Sequence, residues 1–154
     1  WRETVQDMEK DYPEVTVSYE FVDAVAMRLV QWPSSYDIMI TENLFGDILT
    51  DEASVISGSM GLMPSSSMGL HTSLFEPIHG SYPQAAGKDI ANPLATVLSA
   101  AMMFEDAFGL KEEAELIRAV VNKSLEEGIV TEDIAGKNKA YKTSEVGDWL
   151  ANNI

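Results

Sequence analysis

"TENLFGDILTDEAS", residues Thr41 to Ser54, carries the reading of the fold. Leu44, Ile48, Leu49, Val55 and Ile56 recur at helical spacing through it and just beyond. A helix here puts Asp47 and Asp51 on one face, with Cβ atoms about 5–6 Å apart. Like charges so placed destabilise an isolated helix by roughly 0.2–0.5 kcal/mol unless something positive lies between them. Two readings are open at this point. In the first, Asp47 sits in the first helical turn, where the helix dipole favours a negative charge, and Asp51 is simply solvated. In the second, the pair binds a hard divalent cation. Mg2+ and Mn2+ prefer carboxylate oxygens and take one or two of them, together with water and substrate oxygens.

Working upstream, "YDIMIT" (36–41) is a short, nearly continuous apolar run, the pattern of a buried parallel strand. "DAVAMRLVQW" (23–32) predicts a helix with Asp23 at its N-cap, which is also the structural reading of that aspartate. "VTVSYEF" (15–21) alternates Val15, Val17, Tyr19 and Phe21 and predicts a strand with one buried face. In "WRETVQDMEKDYP", Trp1, Val5 and Met8 form a helical stripe that must stop before Pro13. Strand and helix alternate, which argues for an α/β fold. The chain opens on Trp1 inside an amphipathic element, so further chain is expected upstream.

Downstream, the texture changes at Gly58. "SGSMGLMPSSSMGL" (57–70) has no period, and "HTSLFEPIHGSYPQAAGKDIANP" (71–93) is dense in turn signals. An irregular stretch this long in a compact domain is usually functional or disordered, and its apolar and aromatic content favours function. Asn92-Pro93 then reads as an N-cap followed by Pro at the first helical position, opening "PLATVLSAAMMFEDAF", which ends at Gly109. Met102 and Met103 within it read as core. "KEEAELIRAVVNKSLEEG" places Ala114, Ile117, Val121 and Leu125 on one stripe and closes at Gly128. A last helix is expected near Ser144, carrying Val146, Trp149 and Leu150. The expected domain boundary lies between residues 57 and 58.

Composition narrows the classes. The chain has 154 residues and a net charge of −15, which repels nucleic acid and anionic membrane at long range. With no cysteine and two histidines, disulfides and thiol nucleophiles are excluded and a zinc site is disfavoured. No apolar run reaches the length of a membrane span, and no secretory signal is visible, so a cytoplasmic location is expected. GxGxxG, P-loop and GxSxG motifs are absent. His79 is followed by Gly80 and Ser81, whose backbone N–H groups could approach a phosphate.

Three stretches, "NLFGDILTDEASVISGSMGLMPSSSMG", "FEPIHGS" and "GKDIANPLATVLSAAMM", stand in this order and together resemble the β-decarboxylating dehydrogenases. The resemblance covers nearly the whole chain and corresponds to the C-terminal half of such an enzyme. It implies the three-layer α/β fold of the isopropylmalate and isocitrate dehydrogenases, not a Rossmann fold. Residues 1–57 would belong to a smaller, dimer-forming domain and 58–154 to a larger, cofactor-binding one. The implied activity is NAD-dependent oxidative decarboxylation of a 2-hydroxy acid. "FGDILTD" with "GLMPSSSMG" leans towards isopropylmalate over isocitrate, homoisocitrate or tartrate. A non-catalytic regulatory or dimerisation chain is the reading from a different class.

The resemblance also implies roles. Asp47 and Asp51 would bind Mg2+ or Mn2+ with Asp23, which in family homodimers serves the partner subunit's site. Glu76 would lie near the nicotinamide ribose, His79, Gly80 and Ser81 around the adenosine and phosphates, and Asn92 at the adenine. Gln84 stands where many NAD-using members carry an acid and NADP-using ones often a lysine. Lacking the positive charge that a 2′-phosphate wants, it favours NAD. Tyr82 replaces a residue that is commonly small. The family's catalytic lysine and tyrosine would lie upstream of Trp1, so the chain by itself is expected to be inactive.

Overall fold

The computed structural model describes residues 1–154. Seven α-helices, α1 (Arg2–Met8), α2 (Val22–Gln31), α3 (Asn43–Ser57), α4 (Leu94–Met102), α5 (Lys111–Glu127), α6 (Glu132–Ala135) and α7 (Thr143–Ala151), accompany two strands, β1 (Pro64–Ser67) and β2 (Leu74–Pro77). Contacts divide the chain into two units, Trp1–Leu49 and Thr50–Ile154, with the division falling inside α3.

In the first unit, α2 forms where the apolar periodicity predicts it, but its N-cap lies two residues early. Phe21 is its N-cap and Asp23 lies in its first turn. The Asp23 carboxylate accepts the adjacent Ala24 N–H at 2.8 Å, but the start of α2 carries no side-chain cap, so the expected N-cap role of Asp23 does not hold. The stripe of Trp1 and Met8 on α1 is exposed. Glu20 ties the unit together, pairing with Arg28 and accepting a hydrogen bond from the Tyr36 hydroxyl at 2.8 Å.

Neither strand expected in this unit forms. Residues 15–21 and 36–41 lack β-structure, and the chain's sheet contains β1 and β2 alone. An alternating or continuous apolar run selects a face, but a strand exists only through hydrogen bonds to a neighbour. The two segments meet through the Tyr36–Glu20 hydrogen bond but exchange no backbone hydrogen bonds, and Phe21, Ile38 and Ile40 stay exposed.

The second unit inverts that error. The stretch 57–93, read as irregular, contains the antiparallel pair β1–β2, with Pro64 opposite Pro77 and Ser67 opposite Leu74. Serine-rich β1 has no apolar alternation. Its pairing is reinforced by the Ser65 hydroxyl, which donates to the Glu76 carbonyl at 2.8 Å. The helices follow the sequence closely. Leu94, Val120, Val121, Val146 and Leu150 form the main core, with Trp149 and Leu125 packed against it. Ala101, Ala114 and Ile117 form a second cluster with Phe104. Met102 and Met103 are half-buried. From Met103 to Ala107 the helix widens into a π-turn before Gly109 ends it at φ +69°. Gly128 closes α5 in the left-handed region at φ +70°.

Candidate functional site

α3 begins at Asn43, so Asp47 stands in the second turn and not in the first. The dipole therefore does not account for it, since that effect fades within one turn. The Asn43 side-chain amide donates to the Asp47 carboxylate at 2.9 Å. Asp51 follows one turn later, and both aspartates are exposed. The pair offers hard oxygen donors at helical spacing, a donor set that suits Mg2+ or Mn2+. No group of three or more acidic or histidine side chains able to hold a metal occurs in the chain. Asp23 is exposed on α2 and is not gathered with the α3 pair into such a group.

The second group of predicted residues follows β2. Glu76, exposed on that strand, pairs with Ser65. Ile78 N–H donates to the Met63 carbonyl at 3.1 Å, which anchors the start of the segment holding His79, Gly80 and Ser81. His79 is half-buried, and its Nδ1 lies 3.1 Å from the Gly80 carbonyl. The Nδ1–H tautomer donates there and leaves Nε2 as an acceptor. Gly80 and Ser81 are exposed, and nothing crowds the Cα of Gly80. Gln84 lies in a short 3-10 turn, Pro83–Ala85, and is exposed. This run of open backbone N–H groups beside a glycine is compatible with a phosphate.

Asn92 is the best-defined member. Its Oδ1 accepts the Leu94 N–H at 3.0 Å, so it caps α4 from one residue before the assigned N-cap, Pro93. Its Nδ2 donates to Asp133 at 3.0 Å. The Asp133 carboxylate also accepts from the Ser59 and Thr131 hydroxyls. Burial opposes ionisation of Asp133, but the hydrogen bonds from Ser59, Thr131 and Asn92 outweigh it and hold its carboxyl below the ordinary range. Gly61 backs the Asn92 side chain so closely that a Cβ there would come within 2.6 Å of it.

Just upstream, Asp89 adopts φ +57° and caps α7. Its carboxylate accepts the Ser144 hydroxyl at 2.6 Å and the Ser144 N–H at 2.9 Å. The Ser144 hydroxyl, then the N–H, push the Asp89 carboxyl below its ordinary value. Thr143 binds the Asp89 and Ala91 carbonyls, so the start of α7 fixes the approach to Asn92. Asp133, Gly61 and Asp89 were not picked out by sequence reasoning. The run Thr131-Glu132-Asp133 does carry a helix-start signal, but its bond to Asn92 spans 41 positions and leaves no local trace.

A concavity of about 360 Å3 in the first unit is lined by Phe21, Val25, Tyr36, Ile40 and Phe45. It contains none of the predicted site residues.

Residues 1–150 match the isocitrate/isopropylmalate dehydrogenase family, and the chain belongs to it. The fold agrees. An isocitrate dehydrogenase from Methylococcus capsulatus superposes with a TM-score of 0.92 at 35% identity, over 98% of this chain and 44% of that one. A β-decarboxylating dehydrogenase from Thermococcus kodakarensis gives 0.82 at 38% identity, over 99% of this chain and 44% of that one. In sequence, the chain is 54% identical over 155 residues to a 3-isopropylmalate dehydrogenase of Bacteroides fragilis, across 100% of this chain. It is 50% identical over 156 residues to that of Nitratidesulfovibrio vulgaris, again across 100% of this chain. In both cases the chain spans 44% of the relative's length. No helix is long and apolar enough to cross a membrane.

Proposed function

We propose that the chain forms part of an NAD-dependent 3-isopropylmalate dehydrogenase of leucine biosynthesis, which yields 2-oxoisocaproate and CO2. The observation that carries this reading is the 54% identity to such an enzyme through the chain's full length. Asp47 and Asp51 hold a divalent cation, completed by Asp23 of a second copy in a homodimer. When bound, that cation supplies Lewis-acid stabilisation of the negative charge that develops during decarboxylation. Asn43 orients Asp47 for this task through the 2.9 Å hydrogen bond. His79, Gly80 and Ser81 receive the cofactor phosphates, Glu76 the nicotinamide ribose and Asn92 the adenine. Gln84 brings no positive charge to meet a 2′-phosphate, which supports NAD over NADP. In domain terms, residues 1–57 serve dimerisation and 58–154 the cofactor.

This chain supplies metal and cofactor groups but no proton-transfer lysine or tyrosine of its own. Assayed alone with isopropylmalate, NAD+ and Mg2+, it is expected to form no NADH, and clear turnover would refute that division of labour. The decisive experiment compares isopropylmalate, isocitrate, homoisocitrate and tartrate on the full-length protein containing this sequence, and expects isopropylmalate to give the highest kcat/KM. The superposition on an isocitrate dehydrogenase favours isocitrate as the second reading. Inactivity with all four would point to a non-catalytic subunit.

A further inference from the structure

Residues 15–21 and 36–41 carry strand-patterned sequence, yet residues 16–20 and 37–40 neither give nor take a backbone hydrogen bond. Both segments lie in the first unit, Trp1–Leu49, and both line its concavity of about 360 Å3. The lining takes Glu20 and Phe21 from one segment and Ile38, Met39 and Ile40 from the other. Successive side chains of an extended chain point to opposite faces. A hollow that meets three residues in succession therefore runs along the backbone edge, where the N–H and C=O groups lie, and not over one face. Open rows of such groups are a template for another strand. The lining is suited to one. Its single charged group, Glu20, is answered by Arg28 and by the Tyr36 hydroxyl. Val25 of α2 and Phe45 of α3 give it apolar walls. Ile38 and Ile40 are 84% and 71% exposed, apolar area that an inserted strand would cover.

The order of elements sets the direction of that strand. Segment 15–21, α2 and segment 36–41 form an extended–helix–extended run, and α1 precedes the first of them. A helical crossover of this kind joins parallel strands. A strand placed before α1 would run parallel to both segments. Two segments flanking it would stand about 9–10 Å apart, twice the strand spacing, which is too far for bonds between them. Relatives carry further chain from which to draw it. This chain spans 44% of the Bacteroides fragilis enzyme, and 98% of it superposes on the longer Methylococcus capsulatus protein.

We propose that the hollow between residues 15–21 and 36–41 is a docking slot for one extended strand with aliphatic side chains, supplied by the part of the full-length polypeptide that precedes Trp1. The strand runs parallel to both segments, pairs with each and makes a three-stranded sheet of them. The inference rests on the reading of this chain as part of a longer enzyme, and adds where and by what bonds the rest of it joins.

Hydrogen–deuterium exchange on the full-length protein containing this sequence reads the pairing. Alternate amides in 16–20 and 37–40 are expected to exchange roughly 100-fold or more slower there than in this chain alone. Equal rates in the two overturn the inference. A photo-crosslinker attached through S18C, on the wall of the hollow, identifies the occupant. The expected product joins position 18 to a residue preceding Trp1 in the same polypeptide. A product joining two copies, read from a mixture of heavy- and light-isotope protein, overturns the choice of occupant. A product confined to residues 36–41 shows a closed slot and overturns the inference. The exchange measurement uses unaltered protein, so it decides the matter if S18C does not fold. Slow amides in a full-length protein inactive on all four substrates leave the slot standing and overturn the substrate reading. Fast amides in an active enzyme do the reverse.

Discussion

Two aspartates contribute to the acid response of the second unit. Asp89 and Asp133 both ionise more readily in the folded chain than at the ordinary value of 3.8. A depressed carboxylate stabilises the fold fully above the unfolded pKa, and that contribution is lost as pH falls through the folded value. The melting temperature of D89N should therefore lie below wild type at neutral pH, with the gap closing once pH drops below about 4. A gap that stays constant from about pH 7 to about pH 2 would show that the carboxylate charge is irrelevant. Both groups reach the surface, so solvent screening keeps each contribution modest. Asp47 and Asp51 carry a different prediction. In the full-length protein, D47N or D51N should lower Mg2+-dependent kcat/KM by roughly 100-fold or more, with little change in melting temperature, because both side chains are exposed. At this scale the sequence displayed the acid pair plainly, because helical spacing is local. It could not display Asp133 or Asp89, whose partners lie 41 and 55 positions away.

Helices were legible and strands were not. α4 and α5 arise where apolar periodicity and terminating glycines predict them, and α7 where its apolar residues do, since a helix makes its hydrogen bonds within itself. Leu94 is completely buried at the centre of the main core. L94A should cost about 2–5 kcal/mol in chemical denaturation, the range for a large-to-small change in a packed site. At Gly128, φ +70° places any side chain in the left-handed region, so G128A should cost about 1 kcal/mol although nothing lies near its Cα. A neutral G128A would mean that α5 can end by another route. The strands failed in both directions. Residues 15–21 and 36–41 have strand-like sequence and no backbone ladder, whereas β1 has little strand character and a partner well placed in β2.

For the molecule as a whole, the exposed apolar surface asks for cover. On α3, Leu44 is 62% exposed, Ile48 54%, Val55 78% and Ile56 52%. Contiguous apolar surface of this kind usually marks an interaction site, and a homodimer would bury it on the proposed reading. I48D should weaken self-association by roughly 100-fold or more in sedimentation velocity, because burying an unpaired carboxylate is costly. A wild-type chain that stays monomeric at every concentration would remove this basis for assigning α3 to a dimer interface. The sequence by itself determined the longer helices, their apolar stripes, the acid pair and the family, because each is written in local spacing or in motif order. Tertiary structure alone decided which extended segments became strands, that Asp47 lies beyond the helix start, and that Asp133 holds Asn92. The physical reason is the same in all three cases: pairing, helix phasing and a bond across 41 positions depend on what the folded chain brings alongside, not on what stands next in line.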